Sequence, residues 1–208
     1  MSLGDVSLGK ASAHDALGEP SPWVRRWTHL VAPDATVLDV ACGSGRHLAW
    51  FLNRGHKVTG LDRDIQTATK SYPTALLIEA DIEANPWPLT QTFGAVVVTN
   101  YLWPQTFGAV VVTNYLWRPV LPAITQSVAP GGVLIYETFA SGNAVFGRPS
   151  RPDFLLEPGE LLAACKDFTV VAYENGTLDD PMRCVQRIAA VRKPTVKSAT
   201  EAPTVYPL

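Results

Sequence analysis

Five units, each a β-rich stretch followed by a helix-forming stretch, most constrain the fold of this 208-residue chain. Apolar runs such as ATVLDVAC and GGVLIYETF predict buried strands, and RHLAWFLNRGH has the spacing of an amphipathic helix. Strands that alternate with helices form a parallel sheet with helices on both faces. The sequence therefore predicts a doubly wound α/β fold with three layers.

The last two predicted strands have no helix between them. TVVAYENG and CVQRIAAVR are joined by the short connector TLDDPM. A parallel pair needs a crossover of a dozen or more residues, so these two strands must be antiparallel. A plain dinucleotide-binding dehydrogenase ends with another parallel unit, and the hairpin therefore indicates a different α/β family.

Length and composition limit the organisation of the chain. The length is typical of one domain, and we predict a flexible N-terminal arm over 1–21, a folded domain over 22–194 and a disordered tail over 195–208. The three cysteines have no spacing typical of disulfides or metal sites, so no metal is expected.

Charge and hydropathy bear on partners and localisation. A net charge of −2 indicates no general affinity for nucleic acid or an anionic membrane surface. No apolar run reaches the length of about 18 residues that a membrane helix needs, and the N-terminus lacks the layout of a signal peptide. We predict a cytoplasmic protein without a membrane partner, and the oligomeric state stays open.

A glycine loop and three acids mark the candidate ligand site. Gly43-Ser44-Gly45 connects the first strand to a helix, Asp39 precedes the loop, and Asp62 and Asp81 end the next two strands. Asp62 is placed to accept the hydroxyls of a ribose, and Asp81 the amino group of an adenine. Asp39 would repel phosphate and suits an ammonium group. A ligand with an amino-acid end, a ribose and an adenine therefore fits better than NAD, although a tight turn without a ligand is the alternative.

The segments LDVACGSGR, VTGLD and IEADI resemble the first three motifs of the class I S-adenosylmethionine-dependent methyltransferases, and the final hairpin is similar to the ending of that family. The resemblance covers about residues 35–193. It implies a Rossmann-like sheet of seven strands in the order 3-2-1-4-5-7-6, and S-adenosylmethionine as cofactor. Small bacterial enzymes of the tellurite-resistance or thiopurine type are the relatives it suggests.

The resemblance also implies roles for individual residues. Asp39 and the loop Gly43–Gly45 would hold the methionine part, Asp62 the ribose, and Asp81 with the backbone of Ile82 the adenine. Alanine stands at position 41, where the family commonly has another glycine. The full set of expected cofactor-binding residues is Asp39, Ala41, Gly43, Gly45, Arg46, Asp62, Arg63, Asp81, Ile82 and Asn114.

The family places its acceptor-facing residues after the fourth strand. Asn114 would orient the acceptor or bind the methionine carboxylate, Tyr115 would line the methyl path, and Glu137 is the candidate general base. The alternative is that Tyr115 only packs under the following helix. Arg148 and Arg151 lie in a polar loop after the fifth strand. They belong either to a lid with an arginine for an anionic acceptor or to a solvated loop in which they pair with Glu137 or Asp153.

A tandem repeat complicates the fourth strand. Residues 91–103 recur letter for letter as residues 105–117. A sheet of the expected order has no room for both copies. Lengthening a surface loop costs only about 0.6 kcal/mol per doubling, whereas breaking the turn at the active site abolishes function. We therefore predict that the second copy is the strand and that the first copy lengthens the incoming connection. A slip duplication without function is the favoured origin.

These observations favour a methyltransferase that acts on a small-molecule acceptor by in-line displacement. Methylation of RNA or protein is the first alternative, and it requires a patch of arginines such as Arg148, Arg151 and Arg183. A nucleotide-dependent oxidoreductase is disfavoured by the missing third glycine and by the final hairpin. A nucleotide-binding protein inactivated by the duplication over 91–117 is the last alternative.

Overall fold

The computed structural model describes residues 18–89, 106–194 and 205–208. They contain a seven-stranded sheet with the order β3-β2-β1-β4-β5-β7-β6. The strands are β1 Thr36–Val40, β2 Lys57–Asp62, β3 Leu76–Glu79, β4 Phe107–Thr113, β5 Val128–Phe139, β6 Phe168–Asp179 and β7 Met182–Arg192. β1 to β5 are parallel to one another, and β7 is antiparallel to both β5 and β6. The predicted fold class and strand order are confirmed.

Helices cover both faces of the sheet. They are α1 Pro22–Trp27, α2 Arg46–Leu52, α3 Gln66–Ser71, α4 Leu121–Gln126 and α5 Glu160–Ala164. α1, α2 and α3 pack on one face, and α4 and α5 pack on the other. Within the described residues, no helix combines the length and the apolar character that crossing a membrane would require.

The second copy of the repeat forms β4. This strand lies between β1 and β5, with Val110 opposite Leu38 on one side and Leu134 on the other. Val110 and Val112 point into one core and Ala109 and Val111 into the other, which explains its continuous apolar run. The prediction for the second copy is confirmed. The first copy, residues 91–103, lies outside the described residues.

The connections after β4 and β6 differ from the prediction. RPVLPAITQSVAP, the segment from Arg118, predicts a helix. In the structure Arg118–Val120 is a 3₁₀ turn, and α4 ends at Gln126, two residues before β5 begins at Val128. The segment TLDDPM is mostly strand, since Thr177 pairs with Cys184 and only two residues form the turn between β6 and β7. The antiparallel arrangement of β6 and β7 is as predicted.

The first helix attaches the N-terminal side of the chain to the sheet. The Ser21 hydroxyl caps α1 by accepting from the backbone N–H of Trp23, and the Trp23 indole N–H donates to the Ile188 carbonyl at 3.1 Å. Residues 205–208 reach the same layer, where Tyr206 packs against the core and the Pro207 carbonyl lies 3.2 Å from His29 Nε2. The sequence instead predicts disorder over the whole of 195–208.

Candidate functional site

The loop between β1 and α2 requires its two glycines. Gly43 and Gly45 have φ values of +54° and +92°, which L side chains rarely adopt. A Cβ on Gly45 would also lie 2.7 Å from the Tyr72 ring. The chain can therefore turn directly from the strand into α2 only with a glycine at position 45.

Two residues other than glycine share this left-handed conformation. Ala41 has φ +56° and Asn114 has φ +55°. They follow β1 and β4, which are neighbours in the sheet, so both lie at its carboxyl edge. A left-handed backbone costs an L residue about 1–2 kcal/mol, and such strain concentrates at functional sites. The left-handed conformation at Ala41 favours glycine, the residue that the family resemblance leads us to expect at this position.

Asp62 connects the end of β2 to the glycine loop. Its Oδ2 accepts from the Gly43 backbone N–H at 2.8 Å, and its Oδ1 accepts from the Asp64 backbone N–H at 3.0 Å. The adjacent Asp81 carboxylate accepts from the backbone N–H groups of Glu83 and Ala84 at 3.0 and 3.1 Å. Backbone donors therefore hold both carboxylates at the carboxyl edge.

A cavity of about 280 Å³ opens beside these acids. Its lining combines apolar surface with carboxylates and consists of Ala41, Leu61, Asp62, Arg63, Ala80, Asp81, Ile82, Glu83 and Tyr115. The lining contains three acidic side chains and one arginine, so its net charge is negative. Such a lining disfavours phosphate and suits a neutral or cationic ligand with a flat apolar part and hydroxyl groups.

Asp39 lies below the loop and is almost fully buried, with 1% of its surface exposed. Its Oδ2 has no hydrogen-bond partner among the described residues. Burial raises the pKa of this carboxyl to about 8, an effect that the nearby Asp62 increases and the Arg46 guanidinium opposes. The unpartnered Oδ2 of this buried carboxyl can accept a hydrogen bond from an ammonium group.

Tyr115 forms the wall of the cavity opposite the acids. Its hydroxyl is buried without a partner among the described residues, and its carbonyl accepts from the Tyr136 hydroxyl at 2.9 Å. Burial raises the pKa of the Tyr115 hydroxyl well above its usual range, and Glu83 and Asp81 raise it further. The group is therefore a neutral hydrogen-bond donor at physiological pH. Tyr115 also packs against the core, and its role in lining the methyl path stays a prediction.

Glu137 lies outside this cavity, on the side of the sheet that α1 covers. Its carboxylate accepts from the Ser21 hydroxyl at 3.0 Å and pairs with Arg187 at 3.2 Å. Arg187 also pairs with Glu174 at 2.6 Å and lies over the Trp23 ring. Both carboxylate oxygens of Glu137 are thus engaged, and its role as a general base stays a prediction.

His47 connects the same region to β4. The Ser21 backbone N–H donates to His47 Nε2 at 3.1 Å, and Nδ1 lies 3.4 Å from the Thr113 hydroxyl. Burial, followed by the charge of Arg46, lowers the pKa of His47 to about 3. The ring is therefore neutral and carries its proton on Nδ1, because Nε2 is an acceptor. It holds the start of α1 against the carboxyl edge.

The structure brings together most of the residues expected to bind the cofactor. Five of them line the cavity, namely Ala41, Asp62, Arg63, Asp81 and Ile82, together with Tyr115, which was expected to line the methyl path. Gly43 is hydrogen-bonded to Asp62, Asp39 lies near the end of β1, and Gly45 and Arg46 lie where α2 begins. Asn114 is exposed at the end of β4, beside the backbone of Glu137.

The sequence interpretation missed three lining residues and one supporting residue. Leu61, Ala80 and Glu83 are close in sequence to the predicted Asp62 and Asp81, and their position near the same strand ends could have identified them as lining residues. Tyr72 packs on Gly45 from the end of α3. Nothing in the local sequence indicates that contact.

Comparisons with known proteins agree with this arrangement. Residues 37–132 match a family model described as a methyltransferase domain. No curated protein sequence matches the chain significantly. The structure of TehB from Haemophilus influenzae is similar with a TM-score of 0.63 at 17% identity, over 84% of this chain and 63% of TehB. The chain thus spans less than two thirds of the length of TehB.

Two further structures cover most of both chains. A TehB-like SAM-dependent methyltransferase from Corynebacterium glutamicum has a TM-score of 0.55 at 19% identity, over 86% of this chain and 92% of its own. The 1,6-didemethyltoxoflavin-N1-methyltransferase of Burkholderia thailandensis, with bound 1,6-didemethyltoxoflavin and S-adenosylhomocysteine, has a TM-score of 0.57 at 16% identity, over 83% and 77%. At these identities the likeness establishes the fold.

Proposed function

We propose that this chain is a class I S-adenosylmethionine-dependent methyltransferase, and that it transfers a methyl group to a small-molecule acceptor by in-line displacement. The observation that carries the proposal is the acidic cavity between Asp62, Asp81 and Tyr115, next to the unpartnered Oδ2 of the buried Asp39. A dinucleotide would bring phosphates to this acidic lining, which disfavours an oxidoreductase.

The residues present fit S-adenosylmethionine. The ammonium group of its amino-acid end matches the buried Asp39, and its overall positive charge matches the negative lining of the cavity. Asp62 and Arg63 would hold the ribose, and Asp81 and Ile82 the adenine. Gly43 leaves room for the methionine part, since open space surrounds the position that a Cβ would occupy there, whereas Gly45 makes room for Tyr72.

When bound, S-adenosylmethionine supplies a methyl group on a positively charged sulfur. The contribution of the chain is to bind and orient both partners in a site that excludes water, which lowers the barrier to a displacement. Tyr115 and the apolar side chains of the cavity exclude water, and Asn114 presents its exposed side chain where β4 ends. We propose that Asn114 orients the acceptor or binds the methionine carboxylate.

A small acceptor is supported by the relatives and by the architecture. The Burkholderia thailandensis enzyme has 1,6-didemethyltoxoflavin bound in its structure. MtfA, with a TM-score of 0.54 at 16% identity over 82% of this chain, is a glycopeptide N-methyltransferase. The described residues form one sheet with its covering helices. They contain no second domain that could hold a macromolecule. The small molecule remains our proposal.

Binding of S-adenosylhomocysteine to the full-length protein, measured by calorimetry, tests the cofactor. We expect binding by the wild type and an affinity at least about tenfold lower for Asp62→Ala, since hydrogen bonds to a charged group contribute about 1.5–3 kcal/mol. Asp34→Ala is the matched control, because Asp34 is exposed and precedes β1 at the opposite edge of the sheet. Circular dichroism establishes that each variant is folded.

Two outcomes contradict the proposal. One is a folded wild type that does not bind S-adenosylhomocysteine. The other is tighter binding of NADH than of S-adenosylhomocysteine, because the acidic lining should reject the phosphates of NADH.

A further inference from the structure

The loop between β5 and α5 is fastened to the rest of the domain at both ends. The Asn143 side chain donates to the Pro149 carbonyl at 3.0 Å and accepts from the Cys184 backbone N–H at 3.1 Å. At the far end, the Ser141 N–H donates to the Leu156 carbonyl at 2.9 Å. These bonds close residues 141–156 into an arch at the end of β5.

Arg118, the residue directly after the second copy of the repeat, binds the far end of the arch. Its guanidinium donates to both carboxylate oxygens of Glu160, at 2.7 and 2.8 Å. It also donates to the carbonyls of Asp153 and Leu155 at 2.9 and 2.8 Å. The planar guanidinium thus connects the segment after β4 to the segment after β5. The arch is therefore held in one position and does not act as a lid.

A second cavity, of about 570 Å³, is formed mostly by residues of the arch. It is lined by Phe139, Arg148, Pro149, Ser150, Arg151 and Phe154. Phe139 is the last residue of β5, two positions beyond Glu137, which pairs with the last residue of β4. The cavity is therefore at the carboxyl edge of the sheet, next to the end of β4, which Asn114 follows.

The two arginines of this cavity differ in their partners. Arg151 pairs with Asp153 at 2.6 Å and lies 5.3 Å from the centre of the Phe154 ring. Arg148 is exposed and makes no hydrogen bond, ion pair or ring contact with any residue that the structure describes. The lining of the cavity therefore includes two phenylalanines and one guanidinium, that of Arg148, without an anionic partner among the described residues.

We propose that this cavity binds the methyl acceptor, and that the acceptor is a flat aromatic molecule with a carboxylate that Arg148 binds. The inference rests on the proposed methyltransferase function. A guanidinium matches a carboxylate with two parallel hydrogen bonds, and Phe139 and Phe154 contribute aromatic surface to the lining. The hydrogen bond from Asn143 to the Pro149 carbonyl fixes the backbone next to Arg148 before the acceptor arrives, which reduces the backbone entropy lost on binding.

Benzoate is the probe for this site, with benzamide as its neutral isostere. Nitrogen-15 NMR titrations of the full-length protein, with and without S-adenosylhomocysteine, follow the amides of residues 139–154. We expect benzoate to bind about tenfold more tightly than benzamide, because a charge-assisted hydrogen bond is about twice as strong as a neutral one. Arg148→Gln should abolish this preference. Arg54→Gln, a change in an exposed arginine at the end of α2, should preserve it.

Several results would overturn the inference: equal binding of the two probes, absence of shifts in residues 139–154, or an unchanged preference in Arg148→Gln. The proposed function is judged separately by calorimetry with S-adenosylhomocysteine, whose affinity Arg148→Gln should leave unchanged. A protein that binds benzoate but not S-adenosylhomocysteine would contradict the methyltransferase and retain the anion site. The reverse result would contradict the anion site alone.

Discussion

The Asp62 carboxylate at the end of β2 accepts a hydrogen bond of 2.8 Å from the backbone N–H of Gly43, in the loop after β1. A carboxylate has about four acceptor positions, and the N–H groups of Gly43 and Asp64 occupy two of them. The same side chain lines the acidic cavity, where the remaining positions can accept ribose hydroxyls. Asp62 therefore supports the loop and presents acceptors to the ligand at once.

Ala41→Gly should stabilise the protein. Glycine adopts the left-handed conformation at this position without the strain of about 1–2 kcal/mol that alanine carries. The greater flexibility of glycine in the unfolded chain offsets about 0.5–1 kcal/mol of that gain. We expect a melting temperature about 2 °C higher by calorimetry. The control Ala49→Gly, inside α2, should lose about 1 kcal/mol, and a loss in Ala41→Gly would show that the backbone there is unstrained.

Asp39→Asn should make the stability less sensitive to pH. Burial raises the pKa of Asp39 in the folded state to about 8 from its ordinary value of 3.8, so the folded state keeps a proton that the unfolded state has lost between these values. Wild-type stability must then fall as pH rises from about 4 to about 8. Asparagine does not titrate. The advantage of the variant should grow across this window and level off above it.

Urea unfolding at a series of pH values from 4 to 9 measures this advantage. The same variant should bind S-adenosylhomocysteine more weakly, because Asp39 can release its proton and pair with the ammonium group of the ligand, whereas asparagine cannot ionise. A stability difference that does not change between pH 5 and 7 would be incompatible with a protonated Asp39.

Glu137→Gln separates a structural role from a catalytic one. The amide keeps the hydrogen bond from Ser21 but loses the ion pair with the largely buried Arg187. Removing one partner of a buried pair costs about 3–5 kcal/mol, and the second partner of Arg187, Glu174, should reduce the loss to about 2 kcal/mol. Glu174→Gln, at the more exposed partner, should cost less than about 1 kcal/mol. Unchanged stability in urea, with loss of turnover, would instead support a general base.

Deleting residues 91–104 should leave a folded protein that binds S-adenosylhomocysteine. The deletion retains the copy of the repeat that forms β4 and shortens the connection from β3. Closing a shorter loop costs slightly less entropy, so the free energy of unfolding should change by less than about 1 kcal/mol. Circular dichroism and calorimetry compare the two proteins. A shortened chain that no longer folds would show that the first copy has a structural role.

The sheet could be predicted from local patterns because each strand and helix carries its own periodicity. The run at 109–112 is buried on both faces, and the glycines at 43 and 45 allow the turn that joins β1 to α2. The strand ends could not be predicted in the same way, since Val128 and Thr177 lie outside the apolar runs and enter strands only by pairing with Phe107 and Cys184. Pairing across the sheet extends a strand beyond its apolar run.

The cofactor side of the site was also predictable, because Asp39, Asp62 and Asp81 each stand near the end of an apolar strand. Parallel strands bring such positions to one edge. The surroundings of Glu137 were not predictable: its partners Ser21 and Arg187 are 116 and 50 residues away in sequence. Nor does the sequence around 118 indicate that one arginine fastens the loop over 152–155.

The sequence by itself determined the parallel sheet, the antiparallel ending and the acids at the strand ends, because these follow from short-range periodicity and residue type. Only the tertiary structure decided that Asp39 is buried, that Glu137 is paired, and that neither Asp39 Oδ2 nor Arg148 has a partner within 18–89, 106–194 and 205–208. The reason is physical. Burial and charge pairing depend on which distant groups packing brings within a few ångströms, and no local pattern encodes that proximity.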